Sequence, residues 1–160
     1  MLNRRFLFIA VTLAALAGCA TPSGPVSVAD TIAAQPELST LNGLVAKTGL
    51  TDTLKGTGPF TVFAPTNEAF AKVPAKTMDE LAKEPAKLKA VLTYHLVPGK
   101  LMAADVKNGN SKTVNGANVA LAKAGEFVTI EEALVQTADI SATNGVVHVV
   151  DSVLTPPATR

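Results

Sequence analysis

The 160-residue sequence has no tryptophan, one tyrosine and one cysteine. Aromatic residues make up 4% of the chain, which argues against an aromatic surface for stacking nucleic-acid bases or sugar rings. Because one cysteine cannot form a disulfide within the chain, the fold must be stable through packing alone. The two histidines lie far apart and the carboxylates are scattered, so neither set has the ligand spacing of a zinc or calcium site. The sequence predicts no metal and no cofactor.

An excess of charge of one sign is also missing. The chain has 14 Lys and Arg against 13 Asp and Glu. Arg4 and Arg5 lie in a segment that we expect to be removed, and without them 12 basic residues face 13 acidic ones, a net charge near −1. Without a basic cluster, the sequence predicts no nucleic-acid partner and no charged patch for lipid head groups.

The N-terminus has the pattern of an export signal. Arg4 and Arg5 precede an uncharged apolar run, Phe6 to Leu16, that is shorter than the roughly 20 residues needed to span a bilayer. The run ends in Leu16-Ala17-Gly18-Cys19, which resembles the lipobox of bacterial lipoproteins. We therefore expect a signal peptide at 1–18, exported by the Sec rather than the Tat route, and a lipidated cysteine and tether at 19–26. An ordinary secretory signal with an incidental cysteine is the alternative.

The lipobox resemblance implies that Cys19 carries three acyl chains. Several chains give stable anchoring where one is marginal, so the membrane is an expected partner through the lipid alone. Ala20 follows the cysteine in place of the aspartate that retains lipoproteins in the inner membrane. This favours the outer membrane, with the protein facing the periplasm or the cell surface.

The first half of the remaining sequence is predicted to be mainly helical. Apolar residues recur at helical spacing between Ser27 and Lys55, with Ser27 as a candidate N-cap and Gly49 as a stop. A short strand, Phe60 to Ala64, ends at Pro65, and Thr66 or Asn67 is placed to cap the helix that follows. Two later helix starts are predicted, one at a capping box, Thr77-Met78-Asp79-Glu80, and one at Pro85.

From Lys112 onward the apolar residues alternate, which is typical of strands. Turns are predicted at Asn115-Gly116, Ala124-Gly125 and Asn144-Gly145. The segment Val146 to Val150 is the strongest strand in the sequence. Helices followed by strands indicate an α+β fold, with N-terminal and central helices packed on a small β-sandwich or wedge.

Two segments resemble the signature boxes of the fasciclin (FAS1) family. TVFAPTNEAF at 61–70 is similar to its H1 box, NGVVHVVDSVLTP at 144–156 is similar to H2, and Tyr94-His95 lies between them at the position of the family's tyrosine-histidine motif. The resemblance implies one FAS1 domain of about seven strands at 27–157, followed by a tail at 158–160. Ten residues of the boxes are expected to specify the fold: Thr61, Phe63, Pro65, Thr66, Asn67, Phe70, Asn144, Gly145, His148 and Asp151.

The resemblance also implies an extracellular, non-enzymatic adhesion or interaction domain that binds a protein or polysaccharide, with a monomer favoured. Family relatives use a tyrosine-histidine pair and an Asp-Ile pair before H2 to bind partners, which makes Tyr94, His95, Asp139 and Ile140 candidate partner-binding residues. The alternative for Tyr94 and His95 is a core position with satisfied hydrogen bonds. The alternative function is small-molecule or glycan binding in a pocket between the helices and the sheet.

The sequence lacks the motifs of the catalytic sites considered below. His148, Asp151 and Ser152 are close in sequence, but three positions along a strand point His148 and Asp151 to opposite faces. No Gly-x-Ser-x-Gly elbow occurs. Gly56-Thr57-Gly58 precedes a proline and a strand, which is not the context of a phosphate-binding loop. The glutamate pair Glu131-Glu132 is expected to be a solvated strand end or turn.

Overall fold

The computed structural model describes residues 26–156, which form six α-helices, a 3₁₀ turn and seven strands within that range. The predicted signal peptide and Cys19 lie outside the described residues. No helix within 26–156 is long and apolar enough to cross a membrane. The helices are α1 (Val28–Ala34), α2 (Ser39–Lys47), α3 (Thr51–Lys55), α4 (Asn67–Lys72), α5 (Ala75–Lys83) and α6 (Pro85–Tyr94), and the 3₁₀ turn is Pro36–Leu38.

The strands form one sheet in the order β2-β1-β7-β6-β5-β4-β3. Only the pair β1 and β7 is parallel. The two ends of the sheet approach each other, since the Val114 N–H, just beyond β3, donates to the Leu96 carbonyl of β2 at 2.8 Å. The expected small α+β wedge is therefore confirmed as a nearly closed seven-stranded sheet. Its strands are β1 (Phe60–Pro65), β2 (Leu96–Pro98), β3 (Gly109–Lys112), β4 (Asn118–Ala124), β5 (Phe127–Ile130), β6 (Ala133–Ala142) and β7 (Gly145–Val150).

Two hydrophobic cores lie on opposite faces of β1 and β7. Val62 and Val147 pack outward against the helices, together with Ile32 and Leu92. Phe63 packs inward, in the core that the curled sheet encloses. Because both faces are covered, these strands are continuously apolar, as buried parallel strands generally are.

Most local predictions hold, and one does not. The Ser27 and Thr66 hydroxyls accept hydrogen bonds at the starts of α1 and α4, so both are N-caps. The predicted capping box at Thr77 is wrong, because α5 begins at Ala75 and Thr77 lies inside its first turn. Pro74 is the N-cap residue of α5, and its carbonyl accepts the N–H groups of Thr77 and Met78.

Asn144, at the turn between β6 and β7, joins three elements. Its Oδ1 accepts the Val28 N–H at 2.8 Å, and its Nδ2 donates to the carbonyls of Leu54 at 2.7 Å and Gly56 at 2.8 Å. Its own carbonyl accepts the Phe60 N–H at 3.0 Å. This one residue therefore fixes the start of α1, the end of α3 and the start of β1.

The backbones around Asn144 approach so closely that glycine is required on both sides. A Cβ on Gly145 would lie 2.0 Å from the Phe60 carbonyl oxygen, and a Cβ on Gly58 would lie 1.9 Å from the Asn144 carbonyl oxygen. No side chain fits at such separations without a backbone shift.

Replacing Asn144 tests this junction. Asn144→Ala leaves the buried Val28 N–H and two carbonyls without their partners, and we expect the free energy of unfolding to fall by about 3 kcal/mol. The control is Asn115→Ala in the other Asn-Gly turn, whose exposed side chain has no hydrogen bond within residues 26–156, and its effect should stay within about 0.5 kcal/mol. Urea unfolding of the 20–160 chain, which retains every described element, measures both. Equal losses would refute the junction role.

Candidate functional site

His148 lies in β7 opposite Phe63 of β1, and the two rings stack with centroids 5.4 Å apart. Its Nε2 donates to the Leu101 carbonyl at 2.8 Å, and its Nδ1 accepts the Asp139 N–H at 3.2 Å. A carbonyl can only accept and an amide N–H can only donate, so these partners assign a neutral imidazole protonated on Nε2. His148 thereby fastens β6 and the segment after β2 to the inner core.

His95 follows α6 and has the opposite tautomer. Its Nδ1 donates to the Val91 carbonyl at 2.8 Å, and its Nε2 accepts the Leu154 N–H at 3.0 Å. Its own carbonyl accepts the Phe63 N–H at 3.0 Å. One buried ring thus connects the end of α6, the middle of β1 and the segment that follows β7.

Burial controls the protonation of both rings. Loss of hydration lowers the pKa of His95 to about 4, against the opposing effect of the Val91 carbonyl. Burial also lowers the pKa of His148, although the Leu101 carbonyl and the charge of Asp139 oppose that shift. At neutral pH each ring has both nitrogens bonded to backbone groups, so neither is placed to take a proton from a substrate.

Tyr94 is 2% exposed. Its hydroxyl lies 3.1 Å from the Asn118 carbonyl and 3.3 Å from Oε1 of Glu131. Burial raises the pKa of Tyr94, and the negative charge of Glu131 raises it further. Glu131 also accepts the Ala120 N–H at 2.8 Å, so this turn residue is held by the sheet. With Tyr94 and His95 in the core, neither side chain can touch a partner at the surface of the folded domain.

Asp139 and Ile140 lie at a bulge in β6, where the register with β7 shifts between Thr137 and Ile140. Asp139 has a left-handed φ of 60°. Its Oδ1 accepts the Ala103 N–H at 2.7 Å. Both residues are half-buried, Ile140 packs on the helix-side core, and Ala138 beside them is exposed. Of the four candidate partner-binding residues, only this pair reaches the surface.

The polar residues of the two boxes bind other parts of the domain. Asn67 caps α2 from a distance, since its Oδ1 accepts the Thr40 N–H at 2.9 Å. The Thr61 hydroxyl donates to the Gly99 carbonyl at 2.7 Å. Asp151 accepts the Leu134 N–H at 2.9 Å.

The apolar residues of the H1 box have structural places as well. Pro65 ends β1, and Phe70 is buried in the helix-side core.

The cavities of the described range leave little room inside the domain. The cavity between the helices and the sheet measures about 10 Å³, against the roughly 300 Å³ of a small-molecule site. The pocket expected from the alternative function is therefore not formed there. A larger open depression, of about 490 Å³, lies at the β6–β7 turn and is lined by Lys55, Lys100 and the loop between α3 and β1. The sequence does not indicate this depression, because the two lysines come together only in the fold.

No three His, Cys, Asp or Glu side chains within 26–156 come together as a metal site.

The buried histidines predict a loss of stability in mild acid. The unfolded chain has histidines of ordinary pKa 6.5, so between pH 6.5 and about 4 it binds more protons than the folded chain does. The free energy of unfolding should be largest above pH 6.5 and should fall below it, by about 1.4 kcal/mol per pH unit for His95 and with a further fall from His148. Urea unfolding followed by circular dichroism from pH 4 to 8 measures this fall.

Two neutral substitutions separate the histidines. The amide oxygens of His95→Gln and His148→Asn are placed to accept the Leu154 and Asp139 N–H groups without titrating. Each variant should lose the part of the pH dependence that its own histidine causes. If neither variant changes it, other groups cause the acid sensitivity.

Known proteins resemble this chain in sequence and in fold. The fasciclin domain profile matches residues 36–156. The chain is 39% identical over 140 residues to Protein sll1483 of Synechocystis sp., covering 86% of this chain and 78% of that protein. It is 40% identical over 152 residues to immunogenic protein MPB70 of Mycobacterium bovis, covering 87% and 78%. It is 36% identical over 159 residues to the cell surface glycolipoprotein MPB83 of the same species, covering 88% and 71%.

A solved structure has the same fold. It is a FAS1 domain pair from the insect cell adhesion molecule fasciclin I, which aligns with a TM-score of 0.65 at 19% sequence identity. The alignment covers 82% of this chain and 51% of that one, so this chain spans about half of the insect pair. Profile, relatives and fold agree, and the chain belongs to the fasciclin domain family.

Proposed function

We propose that this protein is a membrane-anchored, extracytoplasmic FAS1 module that mediates adhesion, or protein or polysaccharide interaction, at the cell envelope. Family membership supports a binding module, since one relative is named a cell surface glycolipoprotein and the insect structure comes from a cell adhesion molecule. The lipobox ending in Cys19 supports the anchor.

The observation that carries the interaction role is the way the polar side chains of the interior are used. Both nitrogens of His95 and of His148 are bonded to backbone groups. No buried side-chain nitrogen or oxygen in the described range lacks a partner. The helix–sheet interface has space for about one water molecule. A partner therefore has to bind the outside of the domain.

The hydrogen bonds of these buried polar side chains also support a non-enzymatic role. A hydrolytic triad needs a base that can hydrogen-bond to a nucleophile, whereas His148 bonds Leu101 and Asp139 through backbone atoms. None of the relatives described above is named as an enzyme.

Two surface features are suited to contact a partner. The β6 bulge presents the half-buried Asp139 with the exposed Ala138 beside it. On β5, Phe127 is 67% exposed, opposite Ala124 of β4. An exposed aromatic ring on a sheet face is a common contributor to protein interfaces.

The anchor has its own prediction. Cys19→Ala removes the thiol that acylation requires, so labelling with radioactive palmitate in cells should be lost and the protein should leave the membrane fraction. Ser23→Ala, in the same tether, should keep both label and location. Unchanged labelling of the Cys19 variant would refute lipidation at this residue.

The partner surface can be tested by photo-crosslinking in intact cells. A photoreactive residue at Ala138 or Phe127 should give discrete high-mass adducts, and one at the exposed Glu80 of α5 should not. Adducts from all three positions, or from none, would contradict a defined partner surface on this sheet.

Asp139 can then be tested without unfolding the domain. Asp139→Asn retains an oxygen that can accept the Ala103 N–H, so the midpoint of unfolding should hardly change. Loss of the charge should lower the adduct yield from position 138 severalfold. A yield equal to that of the original chain would show that the carboxylate does not contribute to binding.

A further inference from the structure

The depression at the β6–β7 turn, here called the lysine pocket, brings together two cationic side chains from distant parts of the sequence. Lys55 ends α3 and Lys100 follows β2, and both line the pocket with the Gly56–Pro59 loop and the Ala142–Gly145 turn. Lys55 lies 3.6 Å from Asp30, whereas Lys100 has no ion pair within residues 26–156. Lys100 is thus a cation of the pocket without an ion-pair partner in this range.

The loop of this pocket also offers backbone donors. Within the described part of the chain, the N–H groups of Thr57 and Gly58 have no hydrogen-bond acceptor. Gly58 is held in place because its α-carbon packs against the Asn144 carbonyl, where no Cβ fits. Successive free N–H groups in a fixed loop, together with cationic side chains, are the donors that bind phosphate oxygens in proteins.

The pocket lies where the chain enters the domain. The Val26 carbonyl accepts hydrogen bonds from the N–H of Thr143 at 2.9 Å and from its hydroxyl at 3.1 Å, and Thr143 lines the pocket. Val26 lies seven positions after Cys19, and a chain of that length spans at most about 25 Å. A lipid on Cys19 would therefore hold the pocket close to the head groups.

We propose that the lysine pocket binds the phosphate group of an anionic phospholipid, so that the domain docks on the membrane at the end where its tether enters. The proposal rests on the anchor of the proposed function. The lysines and the Thr57–Gly58 amides recognise the phosphate oxygens. Docking leaves the opposite end of β7, at Asp151, directed away from the bilayer.

The test uses the single cysteine as a chemical anchor. The 19–160 chain is coupled through Cys19 to a maleimide lipid, in vesicles of phosphatidylcholine with or without phosphatidylglycerol, and amide hydrogen exchange is measured at Thr57 and Gly58. Exchange at these two amides should slow only on the vesicles that contain phosphatidylglycerol. The double variant Lys55→Gln/Lys100→Gln should lose this protection. The control Lys76→Gln/Lys83→Gln, with the same charge change on α5, should keep it.

A second arm separates lipid from free phosphate. Inorganic phosphate is titrated onto the uncoupled 20–160 chain while the Thr57 and Gly58 amide resonances are followed, and the lysine double variant should bind at least about tenfold more weakly. Saturable phosphate binding without protection on vesicles would overturn the lipid as the source. Equal loss of protection in both double variants, or no response in either arm, would overturn the pocket. Because the coupling is chemical, these results do not depend on acylation in cells, which the palmitate experiment tests separately.

Discussion

The parallel pairing of β1 with β7 is the constraint on which the rest of the structure depends. The two strands pair in register from Phe60 opposite Gly145 to Pro65 opposite Val150, although most of the domain separates them in the sequence. A parallel pair cannot be closed by a tight turn and needs a crossover. Everything from α4 to β6 is that crossover, so the helices and the antiparallel strands have to cover the two faces of this pair.

Covering both faces makes the pair apolar, and the polar exceptions show how the irregular segments are attached. His148 and His95 have opposite tautomers because the accepting carbonyl lies at a different nitrogen in each ring. It lies at Nε2 in His148 and at Nδ1 in His95. Each ring binds a segment that has no strand of its own to pair with, at Leu101 and at Leu154. Buried imidazoles with both nitrogens hydrogen-bonded stabilise one arrangement of the backbone. The same rings lower the stability of the folded chain in acid, because protonation removes the acceptor nitrogen.

The sequence predicted what depends on neighbours along the chain and missed what depends on distant contacts. The alternating strands, the caps at Ser27 and Thr66 and the two boxes all have local or family signatures, and the structure contains them. The Thr77 capping box failed because the helix begins at Ala75, two residues before Thr77. Nothing near α2 indicates that Asn67 caps it from another helix, and no spacing rule brings Lys55 to Lys100.

The candidate site divides in the same way. The family motif placed Tyr94, His95, Asp139 and Ile140 in one group, but the fold buries the first two and brings the second two to a bulge. The reason is geometric, since a helix end under the sheet is core, whereas an extra residue in β6 bends the strand and exposes Ala138. The core position stated as the alternative for Tyr94 and His95 is therefore the one that the structure shows.

The direction of β6 relates the two proposed surfaces to each other. From the bulge at Asp139 the strand runs to Ala142 at the edge of the lysine pocket, a distance of about 10 Å at the rise of a β-strand. A domain docked through the pocket would therefore hold the bulge a short distance above the head groups. A partner that binds the bulge of a docked domain would contact it close to the membrane surface, where other components of the envelope are found.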